Sequence, residues 1–174
     1  MIPDYMEYYC KAIIIGAVII LSSIVVAFSA PVLPNPLLTP GDVYTTDANV
    51  ACNAHTGSEK DSIRSVPSSV AKQVYKNYGI LNHTGYCGEI KFGCETDHLV
   101  SLKIGGANSI KNLWPQSYGG KQGAFMKDTL EKRLIARVCR TSKKHPIKLD
   151  IKVAQKVIAE NWISAYQKYV VEDQ

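Results

Sequence analysis

The sequence predicts a small α+β domain: a ββα core with flanking helices, stapled by disulfides. Three observations lead there. Residues 95–139 run strand, glycine turn, strand, glycine-rich loop and amphipathic helix in that order. A second apolar pattern of helical period covers residues 149–170. Four of the five cysteines, Cys52, Cys87, Cys94 and Cys139, follow a long apolar run near the start.

The apolar run extends without charge from Ala12 to Ala30. About 20 apolar residues of helix span a bilayer, so residues 1–30 read either as a signal peptide or as an N-terminal membrane anchor. Lys11 before the run favours a start on the cytoplasmic side. Met6 offers an alternative start, and Ala27-Phe28-Ser29 carries small residues of the kind found at cleavage sites. Either way the rest of the chain is expected outside the cytoplasm: periplasmic, secreted, or held at the membrane by residues 12–30. A membrane is implied as a partner only if the apolar segment is retained.

Pro31 to Pro40 (PVLPNPLLTP) reads as an extended, proline-rich linker before a domain over residues 41–174. Residues 41–66 are polar and irregular, with a short strand expected at Ser62–Val66. Ser68 to Tyr78 has helical spacing, with Val70, Val74 and Tyr78 on one face, Ser68 or Ser69 as cap and Gly79 as terminator. Residues 80–94 read as a loop and tight hairpin turning at Gly85, Gly88 and Gly93. Glu95–Ile104 is expected as a strand, Gly105-Gly106 as its turn, and Ser109–Trp114 as the return strand. Ala124–Cys139 is a helix with Met126, Leu130, Leu134 and Val138 on one face. Leu149–Val170 carries another, anchored by Val153, Val157, Trp162 and Tyr166.

An even number of cysteines beyond an export signal reads as two disulfides. Three pairings are open; the favoured set closes a hairpin with Cys87–Cys94 and ties the front of the domain to a later helix with Cys52–Cys139. A zinc site is the weaker rival, because neither CxxC nor HxxxH spacing is present. The net charge is +5, and +6 once the leader's Asp4, Glu7 and Lys11 are set aside. Nine basic residues fall between Lys132 and Lys156. That bias suits a polyanion such as nucleic acid, and a solvated basic face explains it equally well.

Asp97-His98 places a carboxylate beside an imidazole. Phosphodiester hydrolysis needs an activated water and a counter-charge for the phosphate. Histidine takes a proton near neutral pH, and a carboxylate holds a divalent cation. On a regular strand the two side chains point to opposite faces, so they share a site only if the strand end bends. A DH dipeptide alone is a weak signal. Its context is stronger: Asp97-His98-Leu99-Val100, then Gly105-Gly106, then Asn112-Leu113-Trp114-Pro115. This pattern resembles the HNH, or ββα-metal (His-Me finger), nucleases.

The resemblance extends from Thr39-Pro40-Gly41 to Tyr169, and is similar over that length to small exported bacterial HNH-like proteins. It is carried by Cys52, Ser62-Ile63-Arg64, Tyr78-Gly79-Ile80, Glu95, Lys127-Asp128, Leu130-Glu131, Val138-Cys139, Ala154-Gln155 and Trp162. It implies a metal-dependent endonuclease acting on DNA or RNA; no dedicated base-reading element is visible, so non-specific cleavage is expected. His98 would be the general base, Asp97 the ligand of Mg²⁺ or a similar divalent ion, and Asn112 the residue that bridges the loop and holds the histidine. No protein partner is implied.

The sequence departs from the family at the start of the helix. Gln122-Gly123-Ala124-Phe125 stands where related chains place an asparagine near position 123. Gln122, or Gln116 from the loop, is left to reach the metal, or water fills that corner. Arg64 reads as a contact to the scissile phosphate or a salt bridge to Glu95. Glu95 itself reads as a support behind Asp97. Lys127 reads as a phosphate ligand or a solvated lysine, and Asp128 and Glu131 as ion-pairing residues of the helix start. Trp114 is expected in the core, and His55, His83 and His145 as bystanders. Asn82-His83-Thr84 is a glycosylation sequon by pattern only. The competing functions are a catalytically degenerate module that binds extracellular nucleic acid or another polyanion, and a membrane-anchored interaction protein with a vestigial DH pair.

Overall fold

The computed structural model describes residues 32–54, 65–80 and 93–173. Among the described residues, four α-helices accompany one two-stranded antiparallel sheet. Helix α1 covers Ala48–Asn53, α2 Ser68–Asn77, α3 Ala124–Cys139 and α4 Ile151–Tyr166; strand β1 covers Cys94–His98 and β2 Leu113–Ser117. The expected strand at 62–66 and hairpin at 81–92 fall largely or wholly outside the described residues, as does the apolar run. Among the described residues no helix is long and apolar enough to cross a membrane.

Helix α1 starts where Asp47 accepts the backbone N–H groups of Asn49 and Val50 at 2.7 and 3.4 Å, which satisfies donors left open by the first turn. Helix α2 starts differently from expectation: Pro67 precedes it and no side chain caps it. The proline supplies the extended entry, and neither Ser68 nor Ser69 stands outside the helix to serve as cap. Gly79 does end it, at φ +71. Val74 and Tyr75 are the buried face of α2.

The two strands pair from Cys94 with Ser117 to His98 with Leu113. The first strand is shorter than its apolar pattern suggests. Leu99 and Val100 are fully buried but lie beyond the strand, and at Val100 the Asn112 side chain takes the place of a strand partner. Leu99 N still donates to Asn112 O at 2.8 Å, whereas Val100 bonds the Asn112 carboxamide. The chain then forms a 3-10 turn at Leu102–Ile104 and a left-handed Gly105 at φ +86. A second 3-10 turn occupies Ile110–Asn112. The return strand therefore begins at Leu113 rather than Ser109 and runs on through Pro115 to Ser117. Gly106 is required by close approach: a Cβ there would lie 1.9 Å from the Val100 carbonyl oxygen.

Helices α3 and α4 pack on each other and close the core. Leu130, Leu134 and Val138 of α3 meet Ala154, Ile158 and Trp162 of α4, with Trp114 and Leu99 from the sheet region. The buried face of α4 is Ile151, Ala154, Gln155, Ile158, Trp162 and Ala165. Val153, expected as an anchor, is 42% exposed; one residue is 100° of helix rotation, which carries it off the core face. The helix breaks at Asn161 (φ −163, ψ 94), whose Oδ1 then accepts Ser164 N and caps the second segment. A π-helical turn over Gln167–Val171 follows.

The proline-rich segment lies against the domain. Asn35 O accepts the Leu38 and Thr39 N–H groups in a turn. Trp162 Nε1 donates to Val32 O at 3.1 Å, and Thr39 Oγ1 donates to Leu113 O at 2.9 Å while bonded to the Tyr78 hydroxyl.

Cys52 and Cys139 form a disulfide between α1 and the last turn of α3, across 87 residues of sequence. Cys94 is disulfide-bonded as well; Cys87, its expected partner, lies outside the described residues. A crosslink of this span removes much loop-closure entropy from the unfolded chain. Replacing Cys52 and Cys139 together by alanine is expected to cost about 2–4 kcal/mol. Urea unfolding of the oxidised double variant beside the parent measures it, and equal midpoints would contradict it.

Candidate active site

β1 presents its residues alternately to two faces. The register puts Glu95 and Asp97 on one face with Gln116 and Trp114, and Thr96 and His98 on the other with Leu113 and Pro115. The first face meets the start of α3. The second meets α2, where the Tyr75 hydroxyl reaches the Cys94 carbonyl at 3.4 Å.

His98 closes β1 and is 4% exposed. Its Nε2 lies 2.8 Å from Asn108 Oδ1; since a carboxamide oxygen only accepts, this bond places the proton on Nε2. Asn108 is exposed and forms the boundary between the ring and solvent. The sequence carried no signal for Asn108, which is one polar residue in a turn ten positions downstream.

Asn112 is fully buried and acts as a surrogate peptide. Its Oδ1 accepts Val100 N at 2.8 Å, and its Nδ2 donates to Val100 O and Ala107 O, both at 2.9 Å. The loop between the strands is thus pinned at both ends, immediately after His98. Bridging of the loop by Asn112 was expected, and the geometry has it.

Lys127 differs most from its reading in sequence. It lies in the first turn of α3, at 1% exposure, because the turn faces the end of β1. Its Nζ donates to Asp97 Oδ2 at 2.6 Å, His98 O at 2.7 Å and Glu131 Oε1 at 2.5 Å. An ammonium has three N–H donors and all three are committed, which leaves none for a phosphate. Burial alone would lower its pKa; the charges and hydrogen bonds of Asp97 and Glu131 outweigh that and hold it above its ordinary value. Burial raises the Glu131 pKa, with Lys127 opposing and Asp97 adding to the rise. Glu131 thus pairs a buried cation instead of merely decorating the helix.

The expected metal corner can be tested against these residues. Gln122 is exposed and, among the described residues, makes no hydrogen bond to the site. Position 123 cannot carry a side chain in this loop: a Cβ on Gly123 would stand 2.7 Å from the carbonyl oxygens of both Tyr118 and Gly119. Gln116 shares a face with Asp97 but sits opposite Glu95 and is 1% exposed; its Nε2 is buried with no partner among the described residues. Asp97 is 14% exposed and already paired to an ammonium. Among the described residues there is no group of three His, Cys, Asp or Glu able to hold a metal. These residues do not fit the divalent site that the family resemblance implies.

Arg64 lies outside the described residues, as do His55 and His83. Trp114 is fully buried, in the core as expected. His145 stands far along the chain beside Asp173, its Nε2 3.5 Å from the carboxylate that Arg137 also pairs. Among protein-family models, curated proteins and solved structures, none matches this chain.

Proposed function

We propose that this chain is an exported nuclease-like protein of the ββα type that hydrolyses phosphodiester bonds of DNA or RNA, with His98 as the general base. The observation that carries this reading is the strand-end histidine fixed between an exposed carboxamide and a pinned loop. Asn108 holds Nε2, Asn112 locks the backbone that follows, and Lys127 anchors the His98 carbonyl. A base held this way is oriented before substrate arrives, which lowers the cost of reaching the reactive geometry. With Nε2–H donated to Asn108, His98 would accept the proton of the attacking water on Nδ1, and the P–O bond to the leaving oxygen would break as the new P–O bond forms. The basic bias from Lys132 to Lys156 supports a polyanionic substrate.

A second reading has its own observation. With the Asp97 carboxylate tied to Lys127 and no side chain at Gly123, a degenerate module that binds nucleic acid without cutting it fits the same face.

Incubating the full chain with plasmid and with RNA in Mg²⁺, Mn²⁺, Ca²⁺ or chelator separates the two. Cleavage that drops about a hundredfold or more in His98→Ala, with the fold retained, is the expected result. Equal cleavage by His98→Ala sinks the assignment of the base. Salt-sensitive binding without turnover in any condition selects the binding module.

A further inference from the structure

We infer that Lys127 is the resident cation of this site, so that Asp97 is not a divalent-metal ligand and the metal corner is filled from within the chain. Three observations meet in this. The Lys127 ammonium is 2.6 Å from Asp97 Oδ2 and is enclosed at 1% exposure. Its other two protons bond Glu131 and the His98 carbonyl, so the two carboxylates nearest the corner share one counter-ion. The place for a further ligand is closed by the carbonyls of Tyr118 and Gly119, which a side chain at Gly123 would strike.

A dication approaching Asp97 meets a fixed positive charge in a poorly solvated setting, where repulsion is little screened. It also meets carboxylates whose charge is already spent. Displacing the lysine does not help, because an ammonium without its partners would then be buried unpaired. Lys127 thus does structurally what a bound metal would do: it joins the end of β1 to the start of α3 and neutralises Asp97. It is a positioning residue. It touches the His98 backbone and has no proton free for a substrate.

The inference does not depend on whether the chain cuts nucleic acid, and its test is read without substrate. Calorimetric Mn²⁺ titration of the full chain is compared among the parent, Asp97→Asn, Lys127→Met and the double variant. The Asp97→Asn amide oxygen still accepts from Lys127, so the parent and this variant should give the same isotherm. Lys127→Met frees two carboxylates and should gain a site at least about tenfold tighter than any in the parent, lost again in the double variant. A parent affinity that falls about tenfold in Asp97→Asn overturns the inference, since Asp97 would then be a ligand. A folded Lys127→Met protein with no new site also overturns it. Should Lys127→Met not fold, the comparison of parent with Asp97→Asn decides alone.

Discussion

Lys127→Met is expected to lose about 3–5 kcal/mol of stability at neutral pH, the range seen when one partner of a buried ion pair is removed. The methionine fills the stem of the lysine, so the loss is electrostatic rather than a cavity. Asp97 and Glu131 are left facing each other, and the His98 carbonyl loses its 2.7 Å donor. The pH dependence follows from the signs. In the parent, Lys127 has a raised pKa; its contribution is fully present below the ordinary lysine value of 10.5 and is lost only as pH climbs through the raised one. Neutral and acidic solutions therefore leave it in place. Glu131, raised by burial, stabilises most when protonated, and its contribution is lost as pH rises from the ordinary 4.5 through the raised value. In Lys127→Met the Glu131 carboxyl loses the cation that opposes its raised pKa and must ionise beside Asp97. The deficit should be largest at about pH 7 and shrink towards about pH 4, where protonation of Glu131 removes the repulsion. Urea unfolding followed by tryptophan fluorescence measures it, since Trp114 and Trp162 are both buried. A deficit of the same size at both pH values would mean that repulsion between the carboxylates is not its source.

The sequence reads well where one physical rule dominates. Helix α3 spans Ala124–Cys139 as its 3.6-residue period indicates, and Gly105 turns the chain because only a left-handed residue fits there. The parity of the cysteines beyond the leader indicates two disulfides without saying which cysteines pair; the Cys52–Cys139 bridge is the favoured one of the pairings left open. Expectation fails where tertiary contacts override the local pattern. Leu99 and Val100 continue an apolar strand pattern, yet at Val100 a carboxamide twelve residues away takes the place of a strand partner. Val153 fits the apolar spacing, but the core face of α4 is set by its contact with α3 and leaves Val153 exposed, while Val157 packs at the edge of the core. Lys127 was least legible of all. A lysine in a first turn is ordinarily solvated, and its partner Asp97 is thirty residues away. The lysine and the carboxylate are each visible in the sequence, but their meeting depends on how α3 docks against β1.

Asn112→Ala is expected to cost about 3–5 kcal/mol, because it strips partners from several buried backbone groups at once. Asn112 is 0% exposed and satisfies Val100 N, Val100 O and Ala107 O. Among the described residues those groups have no other backbone partner, since the loop leaves the sheet here. Alanine leaves them in a space closed by Gly106, whose backbone is packed against the Val100 carbonyl, so water gains little room to replace the amide. Asn112→Asp is a sharper comparison. It keeps an acceptor for Val100 N but removes both donors and sets a negative charge against two carbonyls, so it should cost at least as much as alanine. Amide exchange locates the effect. Val100 N–H, bonded to the side chain, should lose protection in Asn112→Ala, while Leu99 N–H, bonded to the Asn112 backbone at 2.8 Å, should keep most of its own. Equal loss at both amides would mean that the whole loop opens rather than a single clamp. The clamp also bears on the proposed catalysis, because Leu99 and Val100 follow His98 directly and Asn112 holds both. If His98 is the base, cleavage by Asn112→Ala at a temperature where it remains folded should fall with its KM little changed, as expected when orientation of the base rather than binding is impaired.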